Sequence, residues 1–436
     1  MQKFTTPRLI PALLAIAFSG SAAASGFQLQ NQTGSGNGNA FAGAAAAAED
    51  AGTVFFNPAG MSYLPRGHNI SLSGTVLHRV IDFSNKGSTT VNGTFFPLGT
   101  TDGGDGGGTS FLPHGYWVWG VSEQLSIGLG IGPTFGNKTE YDFDFVGRNA
   151  GHFAEIAQIN INPSLSWKIN EQVSIGGGIN FAHNETHFKQ GVPLVDPFGV
   201  IVPGVTFAAN NDLDVKGDDW AVGYNLGAMF QITKATRVGL TYRSELEFDL
   251  EGKQKFAFPN AALVNQDISA KLKTPASASL AVSHMVNDRL ELLADYTWTD
   301  WSVVDTIQLK NKQTGANLSA LSYNFKDSWR VGVGANYQYN SDLKLRFGIA
   351  HDKAPVKSAA DRTMTLPDTD RTWLSFGVKY KLSPQASVDV GYTHIFFAKG
   401  KTERAVDFPA GSTRQVIRGD WDNSVDIVSA QLNYSF

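Results

Sequence analysis

From Ile70 to the carboxyl end, segment after segment of this chain places an apolar side chain at every second position, and that period of two confines the fold to β-structure. In the last segment Val428, Ala430, Leu432, Tyr434 and Phe436 share one face, while Ser429, Gln431, Asn433 and Ser435 share the other. The same dyad runs through Val222, Tyr224, Leu226, Ala228, Phe230 and Ile232, and through Ile159, Ile161, Pro163, Leu165, Trp167 and Ile169. Further segments start near Ile70, Phe111, Leu125, Val173, Val238, Ile268, Leu290, Trp329, Leu343, Leu374 and Val388. Together they predict an all-β chain of about fourteen antiparallel strands. A soluble sandwich alternates in the same way, so the connections have to separate the two. Ser122-Glu123-Gln124, Asn170-Glu171, Thr233-Lys234-Ala235, Asn287-Asp288, Asn340-Ser341-Asp342 and Ser383-Pro384-Gln385 read as tight turns. Between them lie long segments near 84–109, 137–154, 186–217, 251–267, 308–325, 353–370 and 398–422. Short turns at one end and long loops at the other belong to a transmembrane β-barrel, with the short turns periplasmic. Aromatics such as Trp117, Trp119, Tyr296, Trp298, Trp329 and Tyr380 crowd the strand ends, as interfacial girdles do.

The address agrees. Residues 1–24 carry Lys3 and Arg8, an apolar run from Leu9 to Phe18 and an Ala22-Ala23-Ala24 ending. That is a secretory signal peptide, too short in its apolar core to span a bilayer, with cleavage expected before Ser25. Lys plus Arg number 35 against 39 Asp plus Glu, without a basic block, which argues against a nucleic-acid partner. The expected location is the outer membrane of a Gram-negative cell, crossed many times, with both barrel ends of the chain on the periplasmic side. Residues 25–66 are rich in Gly, Ala and Asn and break the alternation, so they are expected to form an N-terminal hatch, a plug inside the lumen of a barrel formed by 67–436. Within the hatch, Asn57-Pro58-Ala59 is turn chemistry.

Four stretches resemble the long-chain fatty acid transporters of the FadL type, a family that includes carriers of aromatic hydrocarbons. They are Ser25-Gly26-Phe27-Gln28-Leu29, Glu49-Asp50-Ala51-Gly52 leading to Asn57-Pro58-Ala59, Leu240-Thr241-Tyr242-Arg243-Ser244-Glu245, and Leu366 to Ser375. The resemblance covers nearly the whole mature chain. It implies a fourteen-stranded barrel with a hatch and passive uptake of hydrophobic molecules, foremost long-chain fatty acids, with uncharged aromatic hydrocarbons as the alternative cargo. Gly132, Pro133 and Gly136 interrupt the third strand, which leaves either a bulge or an opening; the resemblance implies an inward kink there that opens a lateral gate beside the hatch, with the Asn57-Pro58-Ala59 turn holding the plug near it. Finally, it implies that Phe436 helps the barrel assembly machinery recognise the chain.

Read residue by residue, the sequence offers two apolar tracts in loops, where polar residues are the rule. Leu194, Val195, Phe198, Ile201, Val205 and Phe207 form the first, and Phe256, Phe258 and Leu263 belong to the second. These are the candidate substrate-capture loops, or a lid. Arg243, Lys310 and Arg330 are candidates for binding a carboxylate, with Arg243 and Arg330 inward by alternation. Inward Glu245, Glu247 and Asp249 could instead absorb Arg243 in a luminal network. His183, Glu185 and His187 share a strand face, but their phase is outward, so no metal site is expected. No cofactor is implied and no nucleophile elbow stands out, so an enzyme is not expected; a barrel lipase or an adhesin is the rival class. Expected partners are hydrophobic small molecules and outer-membrane lipid and lipopolysaccharide, and the chain is expected to act as a monomer.

Overall fold

The computed structural model describes residues 26–93, 98–192, 211–407 and 413–436. Fourteen antiparallel strands close into a barrel. In chain order they are β1 Gly67–Asn85, β2 Gly108–Gly120, β3 Leu125–Glu140, β4 Phe153–Lys168, β5 Val173–Val192 and β6 Asn211–Gln231. Strand β7 runs in two pieces, Thr236–Arg243 and Leu246–Phe256, β8 as Gln266–Thr274 and Ser277–Met285, β9 as Leu290–Thr299 and Thr306–Asn311, and β10 as Asn317–Ser322 and Ser328–Gln338. The last four are β11 Leu343–Asp352, β12 Arg371–Lys381, β13 Ala386–Phe397 with Gly400–Asp407, and β14 Thr413–Ser435. Strand β14 pairs back onto β1 from Asn69↔Ser435 to Asn85↔Gly419 and closes the wall. Closure leaves no free sheet edge there, the condition for crossing a bilayer with strands.

The tight turns fall where the sequence places them. Most of the long segments are shorter than expected, because the strands continue into them. Segment 308–325 is largely the hairpin of Thr306–Asn311 with Asn317–Ser322, and 398–422 holds Gly400–Asp407 paired with β14. Only 353–370 lacks strand along its whole length. The extended parts rise beyond the lipid-facing belt, so they have no outward apolar face to mark them.

In the lower wall Val428, Leu432, Tyr434 and Phe436 point out and are about half exposed, whereas Ser429 and Gln431 are buried in the lumen. The hatch fills that lumen with four short helical turns, Gly34–Asn37, Ala44–Ala47, Thr53–Phe56 and Pro58–Tyr63. Its small residues let backbone touch wall. A methyl group on Gly239 would collide with the Ala45 carbonyl, and one on Gly348 with that of Asn39. Wall cations then receive the open ends of the hatch turns: Arg330 donates to the Ala40 carbonyl, Arg237 to that of Ala47 and Arg243 to that of Phe55.

A change of character occurs half way up. Below Ser244, β7 turns Leu240 and Tyr242 outward; above it the outward residues are Glu245, Glu247 and Asp249, and the inward ones are Leu246, Phe248 and Leu250. Strand β8 repeats the inversion across Pro275-Ala276, with Ile268, Ala270 and Leu272 inside and Lys271 and Lys273 outside. Lys271 and Lys273 pair across the strands with Glu245, Glu247 and Asp249. A charged outer face belongs in water, so this upper wall stands above the hydrocarbon and its lumen is apolar. The expectation that Glu245, Glu247 and Asp249 face inward to absorb Arg243 is therefore corrected: the break at Ser244-Glu245 shifts the phase by one residue and turns all three outward.

Candidate functional site

Three spaces follow one another along the inside of the barrel. The outermost is a groove formed by Val192, Phe256, Leu263, Val264, Leu318 and Val406, with Arg404 and Gln254 at its polar margin. Of the second apolar tract, Phe256 and Leu263 line the groove, while Phe258 is exposed and exchanges hydrogen bonds with Asn211. Leu194, Val195, Phe198, Ile201, Val205 and Phe207 lie outside the described residues.

Leu213, Ser319, Ala320 and Leu321 belong both to this groove and to a chamber beneath it. The chamber lies among Ile156, Leu250, Ile268, Ala270, Leu272, Ile307 and Leu309. These are the inverted residues of β7 and β8 together with their neighbours, and among the described residues no Lys or Arg lines it. His187 lines it with its ring nitrogen 3.0 Å from Asp214, and Asn137, Gln190 and Ser319 add polar edges. Sequence reasoning missed the chamber, although Leu246-Phe248-Leu250 against Glu247-Asp249-Glu251 carries the signal, an apolar face backed by a charged one.

The floor of the chamber is aromatic. Ile156, Leu366 and Tyr323 line the chamber and also belong to a buried cluster with Phe27, Phe135, Trp301 and Phe325. The Phe27 ring lies 4.9 Å from that of Trp301 and 5.9 Å from that of Phe135. Phe135 sits on the kinked stretch of β3, where the wall is interrupted. Strand β2 pairs with β1 as far as Gly108, but its pairing with β3 ends at Gly115↔Ile131. Beyond that point β3 carries Gly132, Pro133 and Gly136, and its ladder to β4 slips between Pro133 and Phe135. Pro133 has no N–H to offer a neighbour, and the slip is a bulge that bends the strand.

The edge so exposed is taken up by the hatch. Leu29 N–H donates to the Thr134 carbonyl at 2.9 Å, Gly136 N–H to that of Phe27 at 2.8 Å, and Gln32 Nε2 to that of Pro133 at 2.9 Å. Gly26 N–H donates to Asp368 at 2.8 Å, which ties the same segment to the 353–370 loop. Burial pushes the Asp368 carboxyl up to about 6, against the pull of Arg371. The sequence placed the Asn57-Pro58-Ala59 turn beside the gap, and here the structure differs. Asn57 Oδ1 accepts from Ala59 N–H at 3.1 Å and its Nδ2 donates to the Ala45 and Ala228 carbonyls, while the Ala59 carbonyl accepts from Ser166 and Ser174. The turn therefore seats on β4, β5 and β6, where wall residues such as Gly176 and Gly227 admit it. Phe27 to Leu29 hold the gap.

Below the aromatic floor lies a third space, between wall and hatch, reached by Gln28, Phe55, Phe56, Asn225, Arg243, Asp295 and Arg330. Of the three carboxylate candidates, Arg330 faces Asp295 at 2.9 Å and is neutralised, and Arg243 meets only neutral acceptors, Phe55 and Asn180. Lys310 requires correction. It lies within β9 and is exposed on the face opposite Leu309, outside the chamber, because the strand persists past the position where a loop was expected. His183 rests on Trp220, its partner across the ladder, while Glu185 pairs diagonally with Lys216 and His187 with Asp214 on the same neighbouring strand.

The outer membrane protein transport family described as OMPP1/FadL/TodX matches residues 15–436. An outer membrane protein of Neisseria meningitidis serogroup B is 32% identical over 427 residues, covering 89% of this chain and 90% of its own. The long-chain fatty acid transport protein of Escherichia coli K12 is 29% identical over 380 residues, covering 80% and 82%. Among solved structures, a FadL homologue of Pseudomonas aeruginosa superposes with a TM-score of 0.85 at 25% identity over 94% of this chain and 100% of that one. The Pseudomonas putida toluene transporter TodX shares the fold, with a TM-score of 0.65 at 16% identity over 88% and 94%.

Proposed function

Because the chain belongs to the OMPP1/FadL/TodX family of outer membrane transport proteins, we propose that it carries long-chain fatty acids passively across the outer membrane. Groove, apolar chamber and interrupted wall act in that order. The observation that carries this reading is the inverted upper wall, which gives an outer-membrane barrel an apolar lumen. A polar pore offers an acyl chain nothing, whereas each methylene buried among Leu250, Leu272 and Leu309 gains about 0.8 kcal/mol. Release through the gap between β2 and β3 keeps that gain, since the chain passes from chamber to bilayer without crossing periplasmic water. The E. coli relative is a long-chain fatty acid transport protein, which supports the same cargo. One feature favours an uncharged hydrocarbon as second reading: among the described residues no Lys or Arg lines the chamber, and its His187 is engaged by Asp214.

The test fills the chamber. Ala270→Trp should leave the barrel assembled, as judged by heat-modifiable migration, and reduce uptake of labelled oleate more than tenfold, since a side chain of this size occupies the space of several methylenes. Undiminished uptake by the assembled variant would exclude the chamber as the route.

A further inference from the structure

We propose that Arg243 and Asn225 form an inner station for a carboxylate, where the head group of an acidic amphiphile rests below the aromatic floor while its chain points back toward the gap. The inference rests on the uptake reading above and adds the place and chemistry of head-group recognition. The luminal arginines differ in how they are compensated, and Arg79 and Arg237, which also donate to neutral acceptors, are not among the lining of the third space. Arg330 faces Asp295, Arg346 faces Glu49 and Asp389, and Arg371 faces Asp368. Arg243 donates to the Phe55 carbonyl and to Asn180 Oδ1 and lies over the Phe55 ring, and no carboxylate among the described residues pairs with it. A guanidinium out of bulk water with only neutral acceptors has incurred its desolvation cost without gaining an opposite charge.

A second, independent feature points to the same spot. Asn225 is the cross-strand neighbour of Arg243 and is 2% exposed. Its Oδ1 accepts from Asn162 and Asn180, which directs its amide nitrogen the other way, and that nitrogen has no acceptor among the described residues. Both residues line the third space, with Ser277, Ser279 and Thr297 across from them. A buried NH2 without a partner beside an uncompensated guanidinium is a donor pair lacking its anion. The remaining charges there are Arg330 and Asp295, which satisfy each other, and Asp295 also accepts from Gly43 N–H. A carboxylate therefore meets a net positive lining, whereas an alcohol or a hydrocarbon gains nothing from Arg243. Gln28, which bridges to Phe135 at the wall interruption, borders the same space, so a head group at Arg243 sits beside the segment that covers the gap.

The experiment compares laurate with dodecanol, two chains of equal length that differ in charge, by equilibrium dialysis at pH 8 against the detergent-solubilised full chain. The wild type should bind laurate more tightly. Asn225→Asp supplies Arg243 with a fixed carboxylate in a nearly unchanged shape, so laurate affinity should fall about tenfold or more. Dodecanol affinity should stay within about twofold, and the variant should resist heat at least as well as the wild type. Arg243→Gln should lose laurate selectively too, and Arg243→Lys should restore part of it. Laurate binding unchanged in Asn225→Asp and Arg243→Gln, or equal losses for both ligands, would overturn the inner station and leave the uptake reading standing. A wild type that binds neither ligand would overturn the uptake reading itself and this inference with it.

Discussion

At the residue scale Glu49 gathers the wall cations onto the hatch. Glu49 lies against Arg346 at 2.8 Å, Lys344 at 2.8 Å and Lys379 at 3.2 Å, while Arg346 reaches Asp389 at 2.7 Å. Burial by itself would raise the Glu49 carboxyl, but the three cations outweigh it and hold the group well below the usual carboxylate range. A depressed folded value means that ionised Glu49 contributes stability at every pH above the ordinary carboxylate range. That contribution is lost only as pH falls through the depressed value. Resistance of the hatch to protease should therefore be flat from neutral pH to about pH 5 and fail only in stronger acid. Glu49→Gln removes the carboxylate that Arg346, Lys344 and Lys379 share, and should cost on the order of 3 kcal/mol of hatch docking at neutral pH. Early cleavage within residues 26–66 would report it, and wild-type resistance would show that the docking rests on backbone fit instead. Of these partners, only the inward phase of Arg346 is readable beforehand, since Glu49 and Arg346 are brought together by closure of the barrel around its own amino-terminal segment.

At the scale of the element, β3 matters most. A strand that loses its neighbour at Ile131 and slips at Pro133 would expose backbone groups to an apolar surrounding, each at a cost of several kcal/mol. The hatch backbone at Phe27 and Leu29 covers that edge, so opening the gap requires this short ladder to part. Gln28 and Phe135 face each other across it. Opposed antiparallel residues stand about 4.5–5.5 Å apart at Cα, within reach of a disulfide, and the chain has no cysteine of its own. Gln28→Cys with Phe135→Cys should form a bond that stops uptake under oxidising conditions and releases it on addition of reductant. Uptake that ignores the redox state of the verified disulfide would mean that substrate leaves without parting this ladder. The bend itself is legible, because Gly132, Pro133 and Gly136 interrupt an otherwise regular alternation. The segment that covers it is not, because Phe27 is about a hundred residues away and carries no mark of its partner.

Considered whole, the barrel depends on the meeting of its first and last strands. Phe436 is 62% exposed, its ring lies 5.1 Å from that of His68, and its N–H and carbonyl both bond the His68 backbone. It thus ends the closing ladder and presents an aromatic ring on the outer face, the two features an assembly factor could read together. Deleting Phe436 should reduce the folded, heat-modifiable fraction in the outer membrane severalfold; wild-type amounts would assign it no part in assembly. The sequence alone determined the strand count, the periplasmic turns and the lipid-facing phase of the lower wall, because water and hydrocarbon impose a period of two that no tertiary contact is needed to read. It also placed Arg243 and Arg330 in the lumen. What the tertiary structure decided is everything that depends on two distant segments meeting. Such decisions are the phase shift at Ser244-Glu245 that turns the acidic face outward, the chamber assembled from β4 to β10, the seating of Asn57-Pro58-Ala59 on β4 to β6, and the exclusion of Lys310. The period-two rule fixes which residues share a face, and the charged face of Glu247, Asp249 and Glu251 marks the inversion locally, but the chamber behind the opposite face is set by the strand breaks and by barrel closure.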